Sequence, residues 1–277
     1  MLSIFYGIAS AATWGAADFI GGLATKRTSP FRVLFLGALA GLIPFILFAL
    51  LTRESIPPPA DMLLAGLASL LGLAGLIFLY RALAGGQMTI AAPVSALFAA
   101  VIPVVFTLFT EGFPSILTLV GFVLAFLAVW LISQTDGLNL RFSFADLRLP
   151  LVSGLFFGLY FIVMHKATLT AFFWPIAGAR SMALIVLGGI ALLKRQPAMP
   201  PRSLWGVVIL NGILDISGNA LYVLAARTGR LDVAAVLGAL YPASTVLLAW
   251  VFLKERISPI QTAGIVLAFA AIILFTL

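Results

Sequence analysis

The chain has 277 residues, of which 63% are hydrophobic and 9% are charged. Soluble domains contain roughly 45–50% apolar and about 25% charged residues, so this composition excludes an ordinary soluble protein and predicts an integral membrane protein. The 16 basic residues, which give a net charge of +7, lie mostly between apolar runs. Topology-determining charges have this distribution, so we expect no nucleic-acid partner. The absence of cysteine excludes disulfides, thiolate metal sites and cysteine nucleophiles.

Ten apolar segments of membrane-spanning length follow one another, with Pro, Gly and charged residues between them. No basic region precedes the first segment, so we interpret it as a helix rather than a cleaved signal. The connections are short except for residues 134–148, and no soluble domain is expected. The predicted spans are Leu2–Leu23, Phe31–Leu51, Asp61–Ala84, Thr89–Thr110, Ser115–Ser133, Leu149–Met164, Phe173–Leu193, Ser203–Ala226, Leu231–Leu253 and Pro259–Thr276.

The long connection separates two blocks of five spans, residues 1–133 and 149–277, that look like copies of each other. Gly121-Phe-Val-Leu-Ala-Phe126 corresponds to Gly264-Ile-Val-Leu-Ala-Phe269, and Leu79-Tyr80 corresponds to Leu221-Tyr222. An odd number of spans ends each block on the opposite side of the membrane from its start, so the copies are inverted. The predicted fold is all-α and polytopic, with ten transmembrane helices in two inverted five-helix repeats, as in many secondary transporters.

Lys and Arg are unevenly distributed between the two predicted sides of the membrane. The side with the first, third, fifth, seventh and ninth connections carries 11 of them, and the other side carries 5. The positive-inside rule then places both termini outside the cytoplasm. We expect the inner (plasma) membrane of a bacterium as the location.

A polar stripe interrupts the eighth span. Asn211, Asp215, Asn219 and Tyr222 fall within roughly 80° of one another on a helix. An Asp at the centre of a membrane helix costs about 2.5–3.5 kcal/mol on insertion scales, whereas interhelical hydrogen bonds contribute only about 0.6 kcal/mol each. The stripe therefore predicts the lining of a cavity, in which Asp215 either holds a substrate ammonium group or carries a coupling proton.

Further candidates for this substrate cavity are aromatic or lie near prolines. Trp14 is near the middle of its span, where a packing role and a cavity wall are both open, and Phe98 could also face lipid. Asp18 and His165 are candidates for paired gate residues, although Asp18 could instead pair with a basic neighbour. The remaining cavity candidates are Tyr80, Ser95, Tyr160 and Tyr241, and the expected helix breaks are at Pro93, Pro103 and Pro242.

Enzymatic functions lack the necessary residues. One His and no Cys leave no cluster with metal-ligand spacing and no convincing set of nucleophile, base and orienting residue. We expect no enzyme activity, no cofactor and no bound metal. Arg81, Arg180 and Arg227 can extend to the membrane interface, so we do not expect them to be ligands.

Two five-helix blocks in this length resemble the drug/metabolite transporter superfamily, in particular its ten-helix EamA-type carriers. The resemblance rests on Thr13-Trp14-Gly15 in the first span, on Glu111 before Pro114, and on Glu255 before Pro259. It implies a central cavity lined by the first, third, fourth, sixth, eighth and ninth helices. Many of these carriers have cytoplasmic termini, whereas the charge count here favours the reverse. The superfamily includes amino-acid exporters, which this chain resembles in particular, and sugar-phosphate and nucleotide-sugar carriers.

These observations predict a secondary transporter of small organic metabolites that works by alternating access, most concretely an exporter of amino acids or related compounds. The amino-acid assignment is implied by the resemblance. A passive channel, a multidrug, sugar or nucleotide-sugar carrier, and a non-transporting membrane sensor remain the alternatives. We expect a small-molecule substrate and the lipid bilayer as partners, and a monomer as the functional unit.

Overall fold

The computed structural model describes residues 1–84, 88–134, 144–254 and 256–277, with no side-chain detail at positions 80, 83–84, 88–90, 92–93 and 144–146. All regular structure in these ranges is helical. The helices are α1 (Leu2–Thr25), α2 (Pro30–Leu51), α3 (Pro59–Ala84), α4 (Met88–Thr110), α5 (Ile116–Ile132), α6 (Phe144–Ala167), α7 (Phe173–Leu193), α8 (Trp205–Thr228), α9 (Leu231–Gly238), α10 (Tyr241–Leu248) and α11 (Pro259–Thr276).

Several helices begin at a residue whose side chain satisfies the free backbone amides of the first turn. Ser29 caps α2 and Ser115 caps α5, each by accepting from the amide three residues on. Ser258 forms a capping box with Gln261 at the start of α11, and a proline follows it at the first helical position. These short polar turns explain why the long apolar segments start where they do.

The helices are those of a polytopic membrane protein. Among the described residues, seven segments are long and apolar enough to cross a membrane, while Val94–Thr110 and Ile116–Ile132 are apolar but shorter. The helix α1 is not among the seven, and the ninth predicted span, Leu231–Leu253, counts as one of them although it contains α9, α10 and a π-helical turn. The helix α6 begins at Phe144, five residues before the predicted span.

The helices pack mainly against partners that are distant in the chain. The most extensive contacts join α1 with α8, α3 with α6, α5 with α11, and α2 with α7, whereas α1 and α2 touch little. Glycines bring some of these helices close together. A Cβ atom at Gly37 would lie 3.5 Å from the Cα atom of Gly212, so α2 and α8 meet almost backbone to backbone.

One end of the bundle, which we call the N-terminal end, holds Met1 and the connections 52–58, 111–115, 168–172 and 229–230. Glu54 lies in the first of these connections and caps α7, because its carboxylate accepts from the amides of Phe172 at 2.6 Å, Phe173 at 2.8 Å and Trp174 at 2.9 Å. A carboxylate is favoured there by the positive end of the helix dipole. The connection after α2 is thereby fastened to the start of α7.

A buried carboxylate fastens a second connection at the same end. Asp232, in the first turn of α9, is completely buried and accepts from Thr107 of α4 at 2.9 Å. It also accepts from the Arg230 guanidinium at 2.8–3.2 Å and from the amide of Val233 at 2.8 Å. Arg230 in turn donates to the Gly112 carbonyl at 3.0 Å. This group ties the start of α9 to the end of α4.

Candidate functional site

A cavity of about 280 Å³ lies in the middle of the bundle. Its walls come from α1, α3, α4, α6, α7, α8 and the junction between α9 and α10. Met164 and Ile176 bound it on the side of the N-terminal end, and Leu79 lines it towards the opposite end. The lining helices include the six that the resemblance implies, and α7 in addition.

The charged part of the cavity is built on α7 and α8. Arg180 donates a hydrogen bond to Asp215, and the two side chains are 19% and 40% exposed. Asn219, one turn after Asp215, donates to the Asp215 carbonyl at 2.7 Å and accepts from the hydroxyl of Tyr160 on α6. Asp215 and Asn219 therefore both face the cavity, and hydrogen bonds from α7 and α6 fix the positions of their side chains.

The position of Arg180 corrects an expectation from sequence. We expected this side chain to extend to the membrane interface, but it lies in the second turn of α7 and points at Asp215 in the cavity. The physical reason is that a guanidinium inside a membrane protein is stabilised by the nearest carboxylate, which the neighbouring helix supplies. The signal was present in the sequence, since one intramembrane Arg and one intramembrane Asp occupy consecutive spans.

The two ends of the polar stripe on α8 do not line the cavity. The side-chain amide of Asn211 donates to the Ala17 carbonyl at 2.6 Å, and Gly21 leaves room for it on α1. Tyr222 is completely buried and donates to the Phe161 carbonyl at 3.0 Å. The stripe is wide enough to straddle the cavity and the contacts of α8 with α1 and α6, so these two residues hold helices together.

Trp14 lines the cavity and belongs to an aromatic cluster. Its ring centroid lies 6.0 Å from that of Tyr222 and 5.9 Å from that of Phe161. A Cβ atom at Gly238 would lie 3.0 Å from the indole, so this glycine at the end of α9 makes space for the ring. Packing and wall functions, which the sequence left as alternatives, are therefore combined in one residue.

The remaining cavity candidates have different positions. Ser95 and Tyr241 line the cavity, and the Ser95 hydroxyl shares a 2.8 Å hydrogen bond with Ser153. Phe98 does not line it and packs instead where α4 crosses Gly154 of α6. The side chain of Tyr80 lies outside the described residues.

The two candidate gate residues are not brought together. Asp18 lines the cavity and is exposed in it, next to Asp215 and Tyr241. His165 lies in the last turn of α6 near Lys166 and Arg227, away from the cavity, and its Nδ1 atom is buried with no hydrogen-bond partner among the described residues. The sequence pattern places them near opposite mouths of the membrane-spanning region, and they lie far apart in this geometry as well; their action as gate residues stays a prediction.

The expected helix breaks occur at one of the three prolines. The helix α4 is continuous through positions 93 and 103, and the side chain of Pro93 lies outside the described residues. The ninth predicted span is interrupted between α9 and α10, just before Pro242 in the first turn of α10. Gly238, Ala239 and Tyr241 at this interruption line the cavity. A proline at a helix start needs no hydrogen-bond partner for its nitrogen, which suits it to such a junction.

The polar groups of the cavity are those of a site for an organic molecule. Among the described residues no group of three or more His, Cys, Asp or Glu side chains could hold a metal ion. The cavity instead offers an ion pair, a second carboxylate, an amide and hydroxyls within a largely apolar wall. Such a set binds a small organic molecule by a few polar contacts and apolar packing.

Comparisons with known proteins agree with this architecture. The EamA-like transporter family model matches residues 1–134 and 147–277. One solved crystal structure superposes with a TM-score of 0.80 at 16% sequence identity, over 99% of this chain and 98% of that chain, and at this identity it supports the fold alone. No curated protein matches significantly. Because the family matches cover nearly the whole chain, the protein belongs to the EamA-like transporter family of the drug/metabolite transporter superfamily, and it is a membrane transporter.

Proposed function

We propose that the protein is a secondary carrier that moves amino acids or related small metabolites by alternating access through the central cavity, most concretely as an exporter. The observation that carries the proposal is the polar set of Asp18, Arg180, Asp215 and Asn219 inside a bundle of apolar helices. Ionisable groups in membrane-spanning segments are costly and usually mark a substrate or ion pathway.

The size and walls of the cavity support a small substrate with an apolar side. Its volume of about 280 Å³ is just below the range of roughly 300–1,000 Å³ typical of ligand pockets. Trp14, Leu76 and Phe157 offer apolar surface beside the polar groups. A phosphorylated substrate would need free cationic groups, whereas Arg180, the basic side chain among the described lining residues, is already bonded to Asp215.

We further propose ten membrane spans in two inverted halves, residues 1–133 and 149–277, joined by residues 134–148. The two matches to one family model support two repeats. The packing supports them as well, because the contacts α1 with α8 and α3 with α6 exchange places when the halves are exchanged. An interrupted helix at the cavity is also a recurrent feature of transporters with inverted repeats.

A carrier is favoured over a passive channel because buried aromatic and apolar side chains pack on the side of the cavity towards the N-terminal end. The rings of Trp14 and Tyr222 stack there, the ring of Phe161 contacts both at a tilt, and Met164 and Ile176 lie beside them. A pore would need a continuous path lined by polar groups or backbone carbonyls. This packing would have to separate for substrate to pass, as alternating access requires.

Counterflow in proteoliposomes tests the carrier proposal. Vesicles preloaded with unlabelled amino acids should take up labelled amino acid with saturation, and Asp215→Asn should reduce this uptake. The matched control is Asp61→Asn, because Asp61 bonds to Thr170 at a helix end outside the cavity. Uptake that stays linear with concentration would indicate a channel, and no protein-dependent flux of any amino acid or related metabolite would refute the proposal. Repeating the assay with a pH gradient separates uniport from proton-coupled exchange.

The orientation is a separate proposal, with the N-terminal end outside the cytoplasm of a bacterial inner membrane. Because the chain has no cysteine, single cysteines can be introduced without background. Leu2→Cys and Arg27→Cys place them at exposed positions on the two ends of α1. An impermeant maleimide applied to intact spheroplasts should label Leu2→Cys and not Arg27→Cys. Labelling of Arg27→Cys alone would show that the N-terminal end lies in the cytoplasm.

A further inference from the structure

Asp18 is a carboxylate in the cavity that has no charge partner among the described residues. It is exposed to the cavity space, and it has no hydrogen bond or ion pair with any described residue. The titratable groups that face it are Asp215 on α8 and Tyr241 on α10. One neighbour is therefore another carboxylate, and the other is a phenol that carries no positive charge.

The single guanidinium among the described lining residues does not compensate Asp18. Arg180 donates its hydrogen bond to Asp215, and its side chain is only 19% exposed. Two carboxylates and one guanidinium leave the described lining with one formal negative charge when all are ionised. A negative charge far from bulk water is stabilised best by a cation that arrives with the substrate.

The surroundings of Asp18 fit an ammonium group that carries an apolar body. Trp14 precedes Asp18 by one helical turn and lines the same cavity, so a cation held by Asp18 would lie near the indole ring. The indole is fixed between Gly218, Gly238 and the ring of Tyr222, which gives it a defined position. Leu76 and Phe157 supply the apolar wall for the rest of the molecule.

We propose that Asp18 is the specificity-determining residue of the cavity and that the recognised substrate group is an ammonium, so that the carboxylate of an amino acid is dispensable. This inference rests on the proposed transport function and names the substrate class of the same cavity. A substrate carboxylate would have to displace Asp215 from Arg180, whereas an ammonium would meet Asp18, which no described residue pairs with.

Three matched compounds test the proposal by thermal shift of the purified protein and by counterflow. They are phenethylamine (an amine without a carboxylate), phenylalanine (a zwitterion) and 3-phenylpropionate (a carboxylate without an amine). We expect the first two to stabilise the fold in proportion to their affinity and the third to have no effect. Asp18→Asn should weaken phenethylamine binding at least tenfold, Asp18→Glu should retain most of it, and Asp61→Asn should leave it unchanged.

Each outcome decides between the two proposals. If 3-phenylpropionate binds as well as phenethylamine, or if Asp18→Asn binds the amine normally, the ammonium proposal is overturned while saturable flux of any amino acid keeps the carrier proposal. If none of the three compounds shows saturable flux or stabilises the protein, the ammonium proposal fails, and the carrier proposal fails with it only if no other amino acid or related metabolite shows protein-dependent flux either. If Asp18→Asn does not fold, thermal shift and counterflow with the three compounds on the unmodified protein and on Asp18→Glu still test the ammonium proposal.

Discussion

Two Arg–Asp pairs in this protein have the same chemistry and opposite settings. In the pair at the N-terminal end, Asp232 is completely buried and accepts from Arg230, Thr107 and its neighbouring amide. In the pair in the cavity, Asp215 is 40% exposed and accepts from Arg180 alone among the side chains described. The first carboxylate has its hydrogen-bonding capacity filled by protein, and the second keeps capacity for a ligand.

This difference indicates how the fold separates stability from transport. A saturated, buried carboxylate cannot exchange partners without leaving charge uncompensated, so it holds α4 and α9 together. A partly exposed carboxylate can exchange partners at a small cost, because water or a substrate replaces what it loses. An Arg–Asp pair therefore stabilises helix packing at the N-terminal end, whereas another Arg–Asp pair is part of a candidate binding site in the cavity.

The largest expected effect is the loss of the buried tie. Asp232→Asn removes a completely buried carboxylate that accepts from Arg230, Thr107 and the Val233 amide, and it leaves Arg230, which is 30% exposed, without its charge partner; we expect a loss of about 2 kcal/mol. We expect a clear fall in the thermal unfolding temperature of the detergent-purified protein. Thr107→Val should produce a smaller fall, since it removes one hydrogen bond and leaves the ion pair. An unfolding temperature for Asp232→Asn equal to that of the unmodified protein would show that Asp232 does not stabilise the packing of α4 against α9.

Breaking the cavity pair should have the opposite profile. Asp215→Asn should lower the free energy of unfolding less than Asp232→Asn does, because Asp215 is 40% exposed and has one side-chain donor among the described residues, whereas Asp232 is completely buried and has several donors. Transport should nevertheless fall at least tenfold in counterflow. A large loss of stability with normal transport per folded molecule would mean that the two Arg–Asp pairs have the same structural role.

The polar stripe on α8 offers the same contrast within one helix. Tyr222→Phe removes the hydrogen bond to the Phe161 carbonyl and should cost about 1 kcal/mol of stability with transport unchanged. Tyr160→Phe removes the donor to Asn219 in the cavity and should reduce transport with little change in stability. Unfolding temperatures and counterflow rates for the two variants, measured together, check the contrast, and an exchange of the two profiles would contradict it.

The smallest effect concerns pH at the N-terminal end. Burial raises the pKa of Glu111, Arg230 partly opposes this, and Asp232 adds to it. A carboxyl whose pKa is higher in the folded than in the unfolded state binds protons more tightly when folded, so it stabilises the fold as pH falls through that folded pKa. The unfolding temperature of the unmodified protein should therefore rise relative to that of Glu111→Gln between neutral pH and about pH 4.5. Parallel pH profiles of the two proteins would show that Glu111 does not contribute.

Local patterns predicted the helices well because apolar length and turn residues act over short stretches of chain. The positions of Asp215, Asn219 and Trp14 in the cavity agree with the sequence prediction, since a charged or bulky polar residue inside an apolar span has few other places to lie. The continuity of α4 was not predictable in the same way. A proline inside a helix can either break it or be accommodated by neighbouring helices, and the neighbours are absent from a local pattern.

By itself, the sequence determined that this is a helical membrane protein, that polar residues gather on α8, and that the chain resembles one transporter family. Only the tertiary structure decided which polar residues meet. It directs Arg180 to Asp215, leaves Asp18 without a partner among the described residues, and commits Asn211 and Tyr222 to helix contacts. The reason is that periodicity identifies the face of a helix on which a residue lies, whereas the helix or cavity opposite that face depends on contacts between residues far apart in the chain.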